Sequence, residues 1–165
     1  MAEKEVIVRD SKIKFTGTFD LDRAYMKLMQ WMEIEGYAFK EDSYLQRVSP
    51  DGKIIEVVFS AKKEEAGYFL AELTVKIFAK RIQDAEGVVN GEKMKLDKGE
   101  LELIFGSTLV WNSSGDKDVY PEGLKKKIYE RFILQDKIED MKIALYKDTV
   151  KFVEEMKAFL NLYAL

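Results

Sequence analysis

The sequence predicts an α+β domain: an antiparallel, curved sheet of about five strands, one helix near the N-terminus and a long helix at the C-terminus. Period-two runs separated by glycine-containing reversals fill residues 39–111. An apolar repeat at three- and four-residue steps occupies residues 21–32. After Pro121 only Gly123 remains as a helix breaker, which leaves residues 124–165 open to a helical tract.

The first element is a short strand, Lys12 to Thr18, in which charged and apolar residues alternate. Asp20 is a good N-cap for the helix that follows. Its apolar face is Leu21, Ala24, Tyr25, Leu28 and Met32, and Gly36 is placed to close it in a left-handed conformation. Two further runs, Phe39 to Val48 and Lys53 to Ala61, flank Ser49-Pro50-Asp51-Gly52 and form a hairpin.

The charge-rich stretch Lys62 to Gly67 makes a second reversal into Tyr68 to Ile82, the most strand-like run of the chain. There Phe69, Ala71, Leu73, Val75, Ile77 and Ala79 share one face, and Glu72, Thr74, Lys76 and Lys80 share the other. Asn90-Gly91 is a strong hairpin signal, because both residues tolerate the positive φ angles of a type I′ turn. Beyond Asp97-Lys98-Gly99 a last strand, Glu100 to Trp111, carries Leu101, Leu103, Phe105, Leu109 and Trp111 inward, and a loop from Asn112 to Asp116 ends the β region.

Pro121 suits the first turn of a helix, with Leu124, Ile128 and Phe132 as its stripe. Asp136 and Glu139 have capping-box spacing, which predicts a break or bend near Gln135. Beyond it, Leu145, Phe152 and Phe159 repeat every seven residues, as do Thr149, Met156 and Tyr163, and Ile138 and Met141 begin the same stripe. That stripe is wide enough to cover a sheet.

The 165 residues include no histidine and no cysteine, which removes the imidazole base and the thiolate nucleophile or metal ligand. Carboxylates, lysines and tyrosines are numerous but form no recognisable catalytic arrangement, so no enzyme activity, catalytic residue, metal site or cofactor is expected. Adjacent acidic pairs such as Glu64-Glu65 and Glu154-Glu155 point in different directions and read as solvated surface. The cluster Lys125-Lys126-Lys127 with Arg131 sits among acidic residues and reads as a helix face in water.

With 27 Lys and Arg against 30 Asp and Glu the net charge is -3, which offers no broad attraction for nucleic acid. A hydrophobic fraction of 47% suits one compact domain spanning residues 1–165. The opening residues lack the pattern of a signal peptide, and no apolar run is long enough for a transmembrane segment. A cytoplasmic protein is the expectation.

Two groups of residues carry functional content. If the sheet curves, Tyr44, Phe78, Trp111 and Phe152 are candidate wall residues of a cavity beneath the last helix, although Phe78 sits on the wet face of its strand. At the tail, Phe159, Leu162, Tyr163 and Leu165 exceed what one core stripe requires, and surplus apolar surface usually marks an interface.

The order strand, helix, antiparallel strands, long helix resembles the helix-grip arrangement of START-like domains, with fewer strands and without their two-helix insertion near the start. That resemblance implies a cavity for apolar ligands. The segments "DSKIKFTG", "LDKGELELIFGSTLV" and "MKAFLNLYAL" resemble a family of small archaeal proteins with no assigned activity. Together these readings predict a non-enzymatic binding or assembly domain that forms a homo-oligomer through its C-terminal helix; the alternative is a START-like carrier of an apolar small molecule.

Overall fold

The computed structural model describes residues 2–65, 69–112 and 134–162. Of the predicted reversal Lys62 to Gly67, Lys62 to Glu65 continues as strand, paired with Phe69 to Glu72, and Ala66 and Gly67 lie outside the described residues, as do the loop beyond Asn112, the helix start at Pro121, the stripe Leu124, Ile128 and Phe132, the basic cluster, Tyr163 and Leu165. The described elements are β1 (Ala2–Phe19), α1 (Leu21–Ile34), β2 (Ala38–Ser49), β3 (Gly52–Glu65), β4 (Phe69–Val89), β5 (Glu92–Asn112) and α2 (Leu134–Asn161). This is the α+β arrangement that the sequence predicts.

Among the described residues one antiparallel sheet holds five strands in the order β1-β5-β4-β3-β2. From β2 to β5 the chain meanders through hairpins, but β1 pairs with the last strand. The chain therefore leaves β1 at one edge and reaches β2 at the other, by way of α1. Both helices pack on the same face of the sheet and touch each other. The opposite face carries the charged alternate positions, which leaves a single core between sheet and helices.

Local chemistry sets the ends of α1. Asp20 adopts an extended conformation and its side chain accepts from the Arg23 amide, while Gly36 takes φ +92 just past the C-cap Glu35. Leu21, Ala24, Leu28 and Met32 are the buried positions of the helix. The hydroxyl of Tyr25 donates to Glu41 at 3.2 Å, which ties α1 to β2. Its pKa is pushed up to about 12, mainly by burial and then by the Glu41 carboxylate.

The two longest strands extend further than the sequence reading. Asn90 and Gly91 make the expected turn, with φ 52 and 83, but the strands beside it are continuous with their long neighbours. They bend instead at a bulge between Lys80 and Gln83, where Arg81 takes φ 56. Gly99 sits against that bulge: a Cβ there would lie 2.7 Å from Ile82 Cδ1 and 2.8 Å from the Lys80 carbonyl oxygen. Bending at one bulge keeps Ile82 and Leu96 in the core on the far side of the kink.

β1 is also longer than expected, starting at Ala2 rather than Lys12. Its first half, the charged run Glu3-Lys4-Glu5 followed by Val6-Ile7-Val8, has no period-two alternation and gains its strand conformation from pairing with β5, with register shifts between Val6 and Val8 and between Val8 and Ser11. Charged residues suit an edge strand, because one side of it faces water.

Candidate functional site

α2 has two flanks that do different work. On the flank toward α1, the hydroxyl of Tyr37 donates to Asp148 at 2.8 Å, Phe152 meets the Tyr37 ring edge to face, Phe159 meets Trp31 likewise, and Lys151 pairs with Glu35. The Tyr37 phenol is raised well above the usual tyrosine range, chiefly by burial and then by its bond to Asp148. Below, the helix presses Leu145, Thr149, Phe152 and Met156 onto the sheet, all nearly inaccessible to solvent. Side chains fill this contact.

The other flank faces β1, an edge strand among the described residues. A shallow groove of about 180 Å³ runs between them, lined by Val8 and Ser11 from β1 and by Tyr146, Thr149, Val150 and Val153 from α2, with Glu154 and Lys157 at its end. Lys142 reaches across to Glu5 and lies 5.7 Å from the centre of the Trp111 ring. Its pKa is raised, first by the hydrogen bond to Glu5. α2 is thereby fixed along β1, and among the described residues no element covers its outer surface. Ile143, Tyr146 and Val150, at three- and four-residue spacing, are 52%, 53% and 39% exposed. Val6 on β1 is half-exposed but lies on the opposite face of the sheet, in a hollow with Thr74, Lys76 and Ile104.

The sequence-predicted wall residues divide. Trp111 and Phe152 are buried on the inner side of the sheet. Tyr44 faces the same side from the edge strand β2, opposite Val57, but stands 55% exposed. Phe78 lies on the outer face, opposite Glu102, in a separate hollow with Lys14, Lys80 and Glu100. The four do not converge on one cavity. Of the tail residues, Phe159 is 8% exposed and Leu162 is 67% exposed. Phe159 is used within the subunit, against Trp31.

A second feature is acidic. At the start of α1, Asp20, Asp22, Asp84, Glu86 and Asp97 border an open hollow of about 660 Å³, with Arg23 and Lys95. Asp97 accepts from the Leu21 amide at 3.0 Å. Its pKa is raised, first by burial and then by Asp20, Asp22 and Asp84, against the lowering effect of that amide. Among the described residues no group of three or more carboxylates is placed to hold a metal ion.

Sequence reasoning followed the core stripe of the last helix and missed Ile143, Tyr146 and Val150. The available signal was an apolar trio at helical spacing that does not coincide with the seven-residue repeat. Among the described residues no helix is long and apolar enough to cross a membrane. Comparison with protein-family models finds no match, and no curated protein matches the chain.

Proposed function

We propose that this chain is a non-enzymatic assembly domain that self-associates through α2, using the flank beside β1. The supporting observation is the exposed trio Ile143, Tyr146 and Val150 beside the groove between α2 and β1, on a helix whose inner surface is engaged by α1 and the sheet. This keeps the expected role of the C-terminal helix and moves the surface from its tail to its middle. A carrier role has less support, because the side chains beneath α2 fill the space an apolar ligand would take.

Analytical ultracentrifugation of the full chain tests the reading. A dimeric mass at micromolar concentration is expected, with conversion to monomer by Tyr146→Glu and no change in far-ultraviolet circular dichroism. A wild-type chain that is monomeric throughout, or a Tyr146→Glu chain that dimerises equally well, overturns it.

A further inference from the structure

We propose that β1 pairs antiparallel with β1 of a second copy about a two-fold axis at Ile7, joining the two sheets into one. The proposal rests on the self-association reading and names the partner and its register. Among the described residues β1 is the terminal strand of the sheet, and no described strand pairs with its outer backbone groups over Lys4 to Asp10.

The charge pattern of this segment is self-complementary. A dyad at Ile7 sets Val6 against Val8, Glu5 against Arg9 and Lys4 against Asp10 of the other copy, which gives an apolar centre flanked by opposite charges. Neighbouring registers lose this match. Centred between Val6 and Ile7, the pairing opposes Lys4 to Arg9 and Glu3 to Asp10, both like-charged; centred between Ile7 and Val8, it opposes Glu5 to Asp10. A dyad at Val8 opposes Lys4 to Lys12, and one at Val6 leaves Glu3 with Arg9 as its sole charge pair. Among these five registers electrostatics favours the dyad at Ile7. Lys142, which already meets Glu5, adds positive charge near the Glu5–Arg9 pair.

The position of α2 agrees with the same axis. It lies over β1 and β5. Strands about 4.8 Å apart would then set the two α2 axes about 10 Å apart across the dyad, close to the distance at which packed helices touch. Lys142 stands beside Glu5, and Tyr146 and Val150 line the groove with Val8, so the exposed trio is level with Ile7. The copy's helix runs antiparallel and brings its own trio to the same place.

Sedimentation equilibrium of the full chain, with Lys4→Glu, Asp10→Lys and the two combined, tests the register. Each single substitution is expected to raise the dimer dissociation constant about tenfold, and the combination to return it to within about threefold of wild type. Since the chain has no cysteine, Ile7→Cys gives a single thiol that should oxidise to a covalent dimer. A wild-type dimer insensitive to both single substitutions, or a double variant no better than the singles, overturns the β1 pairing. So does an Ile7→Cys chain that dimerises with wild-type affinity yet forms no cross-link. If Tyr146→Glu still dissociates that dimer, the assembly role of α2 stands without the pairing. A wild-type chain monomeric at all concentrations overturns both.

Discussion

The hydroxyl oxygens of Thr149 on α2 and Ser107 on β5 lie 2.9 Å apart in the centre of the helix–sheet contact, and Thr149 Oγ1 is also 2.7 Å from the Leu145 carbonyl oxygen. A carbonyl only accepts, so the single proton of Thr149 goes to Leu145 and Ser107 donates to Thr149. This chain of two bonds satisfies both hydroxyls and fixes the rotation of α2 over the sheet, which in turn decides which flank faces β1.

Thr149→Val should therefore destabilise the fold by about 1–3 kcal/mol, because Ser107 is left buried without an acceptor. The double variant Ser107→Ala with Thr149→Val should recover most of that loss. A double-mutant cycle by urea denaturation measures the coupling, and additive losses would remove the pair's role in fixing the helix.

Gly99→Ala should cost about 2 kcal/mol or more, since the new methyl would press on Ile82 and on the carbonyls of Lys80 and Arg81 at the β4 bulge. Arg81→Gly should act in the opposite direction and stabilise by about 1 kcal/mol, because Arg81 holds a positive φ at an exposed position. Thermal denaturation of the two variants reads both signs.

Asp97→Asn should raise the thermal midpoint at pH 7, by roughly a few degrees given the solvent screening at this half-buried site. The substitution keeps an acceptor for the Leu21 amide and removes a charge disfavoured by burial and by Asp20, Asp22 and Asp84. In the wild-type chain the folded-state pKa is raised, so protonation favours folding: the relative stabilisation is present at low pH and lost as pH rises through the folded pKa. The advantage of the variant should accordingly shrink as pH falls through the carboxylate range. A constant difference from pH 3 to pH 7 would contradict this account.

Tyr37→Phe should cost about 1–2 kcal/mol near neutral pH by deleting the bond that Tyr37 donates to Asp148. Because the raised phenol stays protonated in the folded state, its contribution is complete below the usual tyrosine range and is lost as pH rises beyond about 10. Stability curves of wild type and variant should converge on that alkaline side.

Features set by neighbours in the chain were legible in the sequence. Asp20 and Gly36 bound α1, Asn90-Gly91 turns the long hairpin, and the alternation from Phe69 to Ala79 gives the buried face of β4, apart from the partly exposed Ala71. The seven-residue stripe Leu145, Phe152, Phe159 is the buried face of α2. Less of the functional surface could be read. Tyr44 and Phe78 share an aromatic character with Trp111 but not a location, since residue type says nothing about where a sheet stops being covered.

By itself, the sequence determined the fold class, the order of the elements and the inward face of each, because caps, turns and periodicity act over a few residues and need no distant partner. Tertiary structure decided the rest. Only pairing with β5 makes residues 2–11 a strand, only the crowding of Gly99 against Arg81 and Ile82 reveals why β4 bends where it does, and only the placement of α1 on one side of α2 leaves Ile143, Tyr146 and Val150 uncovered on the other. Each depends on contacts between residues far apart in sequence, where the free energy resides in the pairing and not in either segment alone.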